Sequence, residues 1–203
     1  MTQISSEAEL DALYGAPVPT SILKEINYIS DDYRAFILAS PFLILATAGP
    51  EGLDCSPRGD PRGFVRVDGD RTLMIPDRRG NNRIDSLRNI VRDPRVALLF
   101  LVPGIGTTMR VNGTARLSTD ADLCASFAME GKPPKCVIIV DVKSIYTQCQ
   151  KALVRSKLWS METQIKPADL PSGGAMLERI SKGEIDGKAY DAAYPERMKQ
   201  TIY

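Results

Sequence analysis

Two compact apolar runs constrain this chain more than anything else in it. They are Phe42-Leu43-Ile44-Leu45-Ala46-Thr47-Ala48 and Val96-Ala97-Leu98-Leu99-Phe100-Leu101-Val102. Each is too short for a core helix and is rich in β-formers, so each reads as a buried strand. Turn signals follow both. After Gly49-Pro50-Glu51-Gly52, Leu53 to Ser56 pairs back as a hairpin. After Pro103-Gly104-Ile105-Gly106, a long strand runs from Thr107 to Leu117, with Gly113 as a bulge or bend. Between the runs, Arg62 to Asp68 alternates and Asp68-Gly69-Asp70 turns the chain. Thr72 to Ile75 is the returning strand. Cys136 to Val142 is a further apolar strand, and Ile145 to Cys149 extends or follows it. Six or seven strands at short intervals, joined mainly by hairpins, predict a mainly β (α+β) protein. Its expected form is a closed or nearly closed antiparallel barrel with helices at the ends.

The helices are expected at the flanks. In residues 1–40, Ser6 caps a first helix and Thr20 or Ser21 begins a second, with Ile22, Leu23, Ile26 and Ile29 at helical spacing. Asp31 or Asp32 caps a third, and Pro41 stops it. A helix after Asn82 carries Ile84, Leu87 and Val91 on one face and ends at Pro94. Thr119 and Asp122 open another, to about Met129. Lys151 to Trp159 reads equally as a helical turn or an extended connection. A helix spans about Gly174 to Lys182, and the polar tail from Glu184 packs on a surface or frays. The expected organisation is a helical segment 1–40 packed on a barrel, 41–160, with 161–203 as a tail of the same domain.

Composition removes several functions. A net charge of +1 argues against a general nucleic-acid or membrane binder. The four cysteines form no CxxC pair and the chain has no histidine, so a structural zinc site is not expected. Without histidine there is no Ser-His or Cys-His nucleophile and no histidine base, which points any enzyme chemistry toward a cofactor. The polar start is not a signal peptide, and no apolar run reaches membrane-spanning length, so the expected compartment is the cytoplasm.

Positive charge is concentrated. Ten arginines and no lysines lie between Arg58 and Arg95 against six aspartates, a net +4. The centre is Pro76-Asp77-Arg78-Arg79-Gly80-Asn81-Asn82-Arg83. An all-arginine set favours bidentate binding of an oxyanion. Arg62 and Arg66 are expected on one strand face, and Asn81 and Asn82 as caps of a helix whose N-terminus favours an anion. The reading is a phosphorylated ligand.

These phrases carry a resemblance. Strand, hairpin, arginine/asparagine turn, helix and then Asp93-Pro94-Arg95-Val96-Ala97-Leu98-Leu99-Phe100 resemble the pyridoxamine 5′-phosphate oxidase-like flavoproteins, which have the FMN-binding split-barrel fold. Cys55-Ser56-Pro57-Arg58-Gly59-Asp60-Pro61, Met109-Arg110-Val111-Asn112-Gly113 and Arg155-Ser156-Lys157-Leu158-Trp159 are most similar to a bacterial branch of FMN-dependent proteins without an assigned substrate. The likeness covers roughly residues 22–159.

The resemblance implies a homodimer with FMN in clefts between subunits. It implies that Arg62 contacts the FMN phosphate, with Asn82 and Arg83 as a second phosphate pair and Arg78 or Arg79 sharing that role. Pro76 and Asp77 fall beside the flavin, and Thr108 near a polar residue that reaches its ring. Arg58, Phe64, Val65 and Asn81 complete the expected cleft. Lys151, Ser156 and Trp159 are candidates for a wall supplied by the partner. Arg66 and Arg110 are candidates for stabilising a reduced flavin anion. The implied activity is an FMN-dependent oxidoreductase. The alternative is a non-catalytic flavin or deazaflavin carrier. The oxidase's own Arg-x-His substrate motif has no counterpart in a chain without histidine, so oxidation of pyridoxamine phosphate is not expected.

Overall fold

The computed structural model describes residues 3–203; residues 1 and 2 of the expected N-terminal segment lie outside the described residues. Seven strands form one sheet: β1 (Phe42–Gly49), β2 (Gly52–Gly59), β3 (Arg66–Asp68), β4 (Thr72–Pro76), β5 (Arg95–Leu101), β6 (Thr108–Ser118) and β7 (Val137–Gln148). Their order is β2-β1-β5-β6-β7-β4-β3, and every neighbouring pair is antiparallel. The helices are α1 (Glu7–Tyr14), α2 (Pro19–Leu23), α3 (Asp31–Ala39), α4 (Asp85–Arg92), α5 (Ala121–Ser126), α6 (Lys151–Ser156), α7 (Gly173–Ile180) and α8 (Gly187–Thr201).

Alternation builds the core. Along β1 and β5 every second residue is buried: Leu43, Leu45 and Thr47, then Val96, Leu98 and Phe100. They meet Leu73 and Ile75 of β4, Met109 and Val111 of β6, and Ile138 and Ile145 of β7, closed over by Ile37 of α3 and Ile90 of α4. The bulge falls between Asn112 and Gly113, as the glycine predicts. A Cβ on Gly113 would lie 2.3 Å from the Asp141 carbonyl oxygen, so the two longest strands approach there more closely than any side chain allows. A smaller cluster, Cys124, Phe127, Val137 and Ile139, seats α5 on the sheet.

Several expectations are corrected. The strand expected from Arg62 begins only at Arg66. Residues 61–63 form a turn closed by Phe64 N–H to the Pro61 carbonyl at 3.2 Å, so Arg62 and Arg66 do not share a strand face. The helix expected after Asn82 starts at Asp85, and its N-cap is Ile84, which makes no side-chain cap. Its buried residues are Ser86 and Ile90, whereas Val91 is 76% exposed. Polar anchors turned the face: Ser86 Oγ donates to Asp54 at 2.5 Å and Asn89 Nδ2 to Thr47 Oγ1 at 3.1 Å. Helix α2 stops at Leu23, and Ile26 instead bridges to Ile145. The stretch 151–156 is helical. The tail does not fray. Asp186 caps α8 by accepting from the Ala189 amide, and α8 packs on α7 where Gly174 and Gly187 cross.

Candidate functional site

The arginine turn forms one wall of a cleft of about 1680 Å³. Residues 54–60 of β2 and its C-terminal flank form the opposite wall. Pro76 ends β4, the turn covers 77–84, and the first residues of α4 continue it. The loop 132–136 and the end of the chain, Ile202 and Tyr203, close the remaining sides. The lining holds Arg58, Arg78, Arg79, Arg83, Lys132 and Lys135 against Asp54, Asp60, Asp77 and Asp85, six cations to four carboxylates, or net +2.

The sequence builds this wall locally. Pro76 pairs with Val137 at the end of β4, and the Asp77 amide donates to the Cys136 carbonyl at 3.0 Å, which pins the start of the turn. Asn81 Oδ1 accepts from the Arg83 amide at 3.0 Å. Asn82 and Ile84 sit at φ of 62° and 53°. Left-handed backbone is tolerated by asparagine but strained for isoleucine, and strain of that kind persists where surrounding structure enforces it.

Ion pairs fix the deeper arginines. Arg58 Nη1 donates to Asp77 Oδ1 at 2.8 Å, with side chains 18% and 15% exposed. Burial pushes the Asp77 carboxyl above its ordinary 3.8, against the pull of Arg58 and Lys135. Arg78 Nε donates to Asp60 Oδ2 at 2.6 Å and its Nη1 to the Phe127 carbonyl at 2.6 Å. Tyr203 donates its hydroxyl to the other oxygen of Asp60, and its ring lies 5.7 Å from the Arg78 guanidinium carbon. Arg83 pairs with Asp85 at 2.8 Å but is 77% exposed. Arg58 Nε is buried without a partner, the one such side-chain atom among the described residues. A donor in that state loses its water without replacement, and a ligand acceptor would satisfy it.

The expected site residues divide into three groups, with Val65 apart from all of them. Arg58, Phe64, Pro76, Asp77, Arg78, Asn81, Asn82 and Arg83 line the cleft. Arg62 and Arg66 line an adjoining recess, with Arg66 donating to Ser126. Val65 is 1% exposed and belongs to the core. The third group lies at the far end of β6. Thr108 is buried at its first residue, whereas Leu117 of the same strand lines the cleft. Nine residues of strand separate them, roughly 30 Å. Arg110 Nη1 donates to the Tyr146 hydroxyl at 3.0 Å, and Trp159 Nε1 to the Ile105 carbonyl at 2.9 Å. Ser156 Oγ donates to the Leu153 carbonyl, and Lys151 is exposed at the start of α6. Within one chain these five do not join the cleft.

Sequence reasoning missed Asp60, Lys132, Lys135 and Tyr203. The Pro133-Pro134 pair, which stiffens a loop between two lysines, was the available signal for the lysines. Nothing local marks Tyr203.

Comparison with known proteins agrees with this architecture. Among solved structures, HupZ of Group A Streptococcus is 19% identical over 60% of this chain and 94% of that one, with a TM-score of 0.50. General Stress Protein 26 from Bacillus anthracis str. Sterne is 16% identical over 56% and 88%, TM-score 0.44. An F420 reductase is 17% identical over 58% and 98%, TM-score 0.45. No curated protein matches the sequence. The family model described as pyridoxamine 5′-phosphate oxidase matches residues 29–149, which takes in all seven strands of the sheet and the entire arginine turn. The chain therefore belongs to the pyridoxamine 5′-phosphate oxidase family.

Proposed function

We propose that the cleft binds FMN and that the protein is an FMN-dependent oxidoreductase. The observation that carries this reading is the buried, unpartnered Nε of Arg58 in a cleft of net positive charge. A flavin ring offers acceptor oxygens and nitrogens to such a donor, and its phosphate suits the exposed cations of the turn. Arg79 and Arg83, with the backbone around Asn81 and Asn82, would hold the phosphate. Arg58, oriented by Asp77, would face the polar edge of the ring. Phe64, 8% exposed, supplies an apolar floor.

FMN, when bound, supplies hydride and electron transfer. The chain's own part is electrostatic. Arg58 is held by a partner that is itself strained by burial, so a developing negative charge near its Nε is stabilised without reorganisation. Pro76 and the Asp77–Cys136 backbone bond hold the ring-side wall rigid.

The same reading includes a homodimer. Phe42, Ile44, Leu99, Leu53 and Pro57 lie on the sheet face opposite the core; Ile44 stands across from both Pro57 and Leu99, and Leu53 is 89% exposed. Exposed apolar strips of this kind mark interaction surfaces. A second copy on that face would give Thr108, Arg110, Lys151, Ser156 and Trp159 a cleft to reach, across the subunit boundary.

The test is an absorbance spectrum of the purified protein, mass analysis of whatever heat releases, and light scattering. The expected results are a flavin spectrum, the mass of FMN and a dimer. A deazaflavin mass would replace FMN in the assignment. Arg58→Ala should weaken FMN binding by about 1.5–3 kcal/mol, the usual range for a charged hydrogen bond, and unchanged affinity would remove Arg58 from the site. Turnover with NADH or NADPH separates the enzyme from a carrier.

A further inference from the structure

Residues 3–23 form an arm that its own barrel does not cover. Every one of them is exposed. Among the described residues, no hydrogen bond ties them to the sheet or to α3–α8. The arm is nevertheless ordered along its length. Ser6 caps α1 by accepting from the Glu9 amide at 3.3 Å, and Gly15, at a φ of 69°, ends it. Pro17 and Pro19 stiffen the link into α2. Leu10, Leu13 and Tyr14 share one side of α1, because residues three and four apart are neighbours on a helix. Leu13, Tyr14, Val18 and Leu23 are 65%, 79%, 66% and 77% exposed. Glu7, Glu9 and Asp11 surround that stripe, and no Lys or Arg precedes Lys24, so residues 3–23 carry a net −3. An apolar surface of this size, rimmed by charge, marks an interaction site.

The same chain carries a face of opposite charge. On the outer side of α4, Val91 lies exposed between Arg88 and Arg92, which are exposed as well. Arg92 Nη1 donates to Glu51 at 3.2 Å, which joins this face to the β1–β2 turn, two residues from Leu53. The α4 face therefore continues into the apolar strip assigned above to the subunit boundary. An acidic apolar helix and a basic apolar helix, each without a partner in its own chain, are complementary surfaces.

We propose that two copies of this chain exchange their N-terminal arms, with α1 of each seated on the Arg88–Val91–Arg92 face of the other's α4. The root of the arm points the same way. Ile26 and Ile145 exchange backbone hydrogen bonds at 3.1 and 2.8 Å, and the Tyr33 hydroxyl donates to the Lys24 carbonyl at 2.7 Å. Ile145 pairs with Val111, next to Arg110, so the arm leaves from the end of β6 and β7 that the dimer directs at the second copy's cleft. The first residues of α4 continue the wall of that cleft. A two-fold axis repeats the contact, so one exchange covers both arms and both α4 faces. The proposal rests on the homodimer part of the reading above and is independent of the cofactor.

Photocrosslinking of the whole chain tests this, with light scattering on the same samples. Leu13→p-benzoylphenylalanine places the probe on the stripe of α1 at an exposed position, so folding is not at stake. Irradiation should give a covalent dimer on a denaturing gel, with the link mapped to the peptide that holds Arg88 to Arg92. Arg88→Glu with Arg92→Glu should lower that yield about fivefold, the effect of two exposed ion pairs. Adding Glu7→Lys and Asp11→Lys should restore it, which local damage to α4 would not allow. A dimer by scattering whose probe couples only within its own chain, or mainly to peptides outside α4, overturns the arm exchange and keeps the dimer. A monomer by scattering overturns both.

Discussion

The hydroxyl of Tyr203 donates a 2.8 Å hydrogen bond to Asp60, 143 residues away in sequence. Asp60, with a side chain 2% exposed, accepts from Arg78 through its other oxygen. The last residue of the chain is thereby tied to the wall that the cleft and the recess share.

Tyr203→Phe removes this bond and leaves the Asp60–Arg78 pair intact. Because the tyrosine is partly exposed, the expected loss is about 1 kcal/mol or less. The hydrogen bond to Asp60, first among its causes, raises the Tyr203 phenol above its ordinary 10. The folded state therefore favours the neutral phenol. Its contribution is complete below pH 10 and is lost as pH rises from there through the raised value. Thermal denaturation of both proteins between pH 8 and 11 should show a decline in the wild type that the variant lacks. Parallel curves would mean that the contact contributes nothing in solution.

Gly174→Ala should release the same contact from a distance. A Cβ there would lie 2.1 Å from the Gly187 carbonyl oxygen and 2.7 Å from the Asp191 carboxylate, which already accepts from the Gly174 amide at 2.8 Å. The α7–α8 pair cannot stay closed around it. Hydrogen exchange should quicken in residues 173–203 and remain unchanged in β5 and β6. Unchanged protection in α8 would contradict the close crossing.

The outcome for these residues shows where the sequence speaks. The barrel was legible because buried strands advertise themselves by period and by turn chemistry: Phe42–Gly49, the Gly113 bulge and the arginine turn all stand where they were expected. The wrong helix face on α4 has a different origin. Its apolar residues, Ile84 and Val91, were outweighed by Ser86 and Asn89, whose partners Asp54 and Thr47 lie more than 30 residues away. Hydrophobic period cannot see a polar anchor that distant. Tyr203 was invisible for the same reason, since its role exists only once α7 and α8 have folded back.

The cysteines give a chemical map of the cleft. Cys55 and Cys149 are exposed, whereas Cys124 and Cys136 are buried. Burial, followed by the Asp77 and Cys124 charges, pushes the Cys136 thiol up to about 11. At pH 8 Cys55 and Cys149 should alkylate with iodoacetamide and Cys136 should not, because only thiolate reacts. Cys55 lines the cleft, so added FMN should slow its modification. Mass mapping of the labelled peptides reads both effects, and rapid labelling of Cys136 would contradict its burial.

Asp77 links stability to ligand affinity. Burial raises its carboxyl above 3.8 in spite of the 2.8 Å pair with Arg58. The fold therefore favours the protonated acid. Its contribution is fully present below pH 3.8 and is lost as pH rises through the raised value. Asp77→Asn keeps an oxygen to accept from Arg58 and cannot ionise. Urea denaturation at pH 4 and pH 7 should show the variant gaining on the wild type as pH rises, since only the wild type must place a charge in that site. The same substitution leaves Arg58 uncompensated in a cleft that is already net positive, so an anionic ligand should bind severalfold more tightly, a change of about 1 kcal/mol for one partly screened charge. A variant that is stabler at pH 7 but holds FMN more weakly would show that Asp77 touches the ligand itself, and does more than orient Arg58.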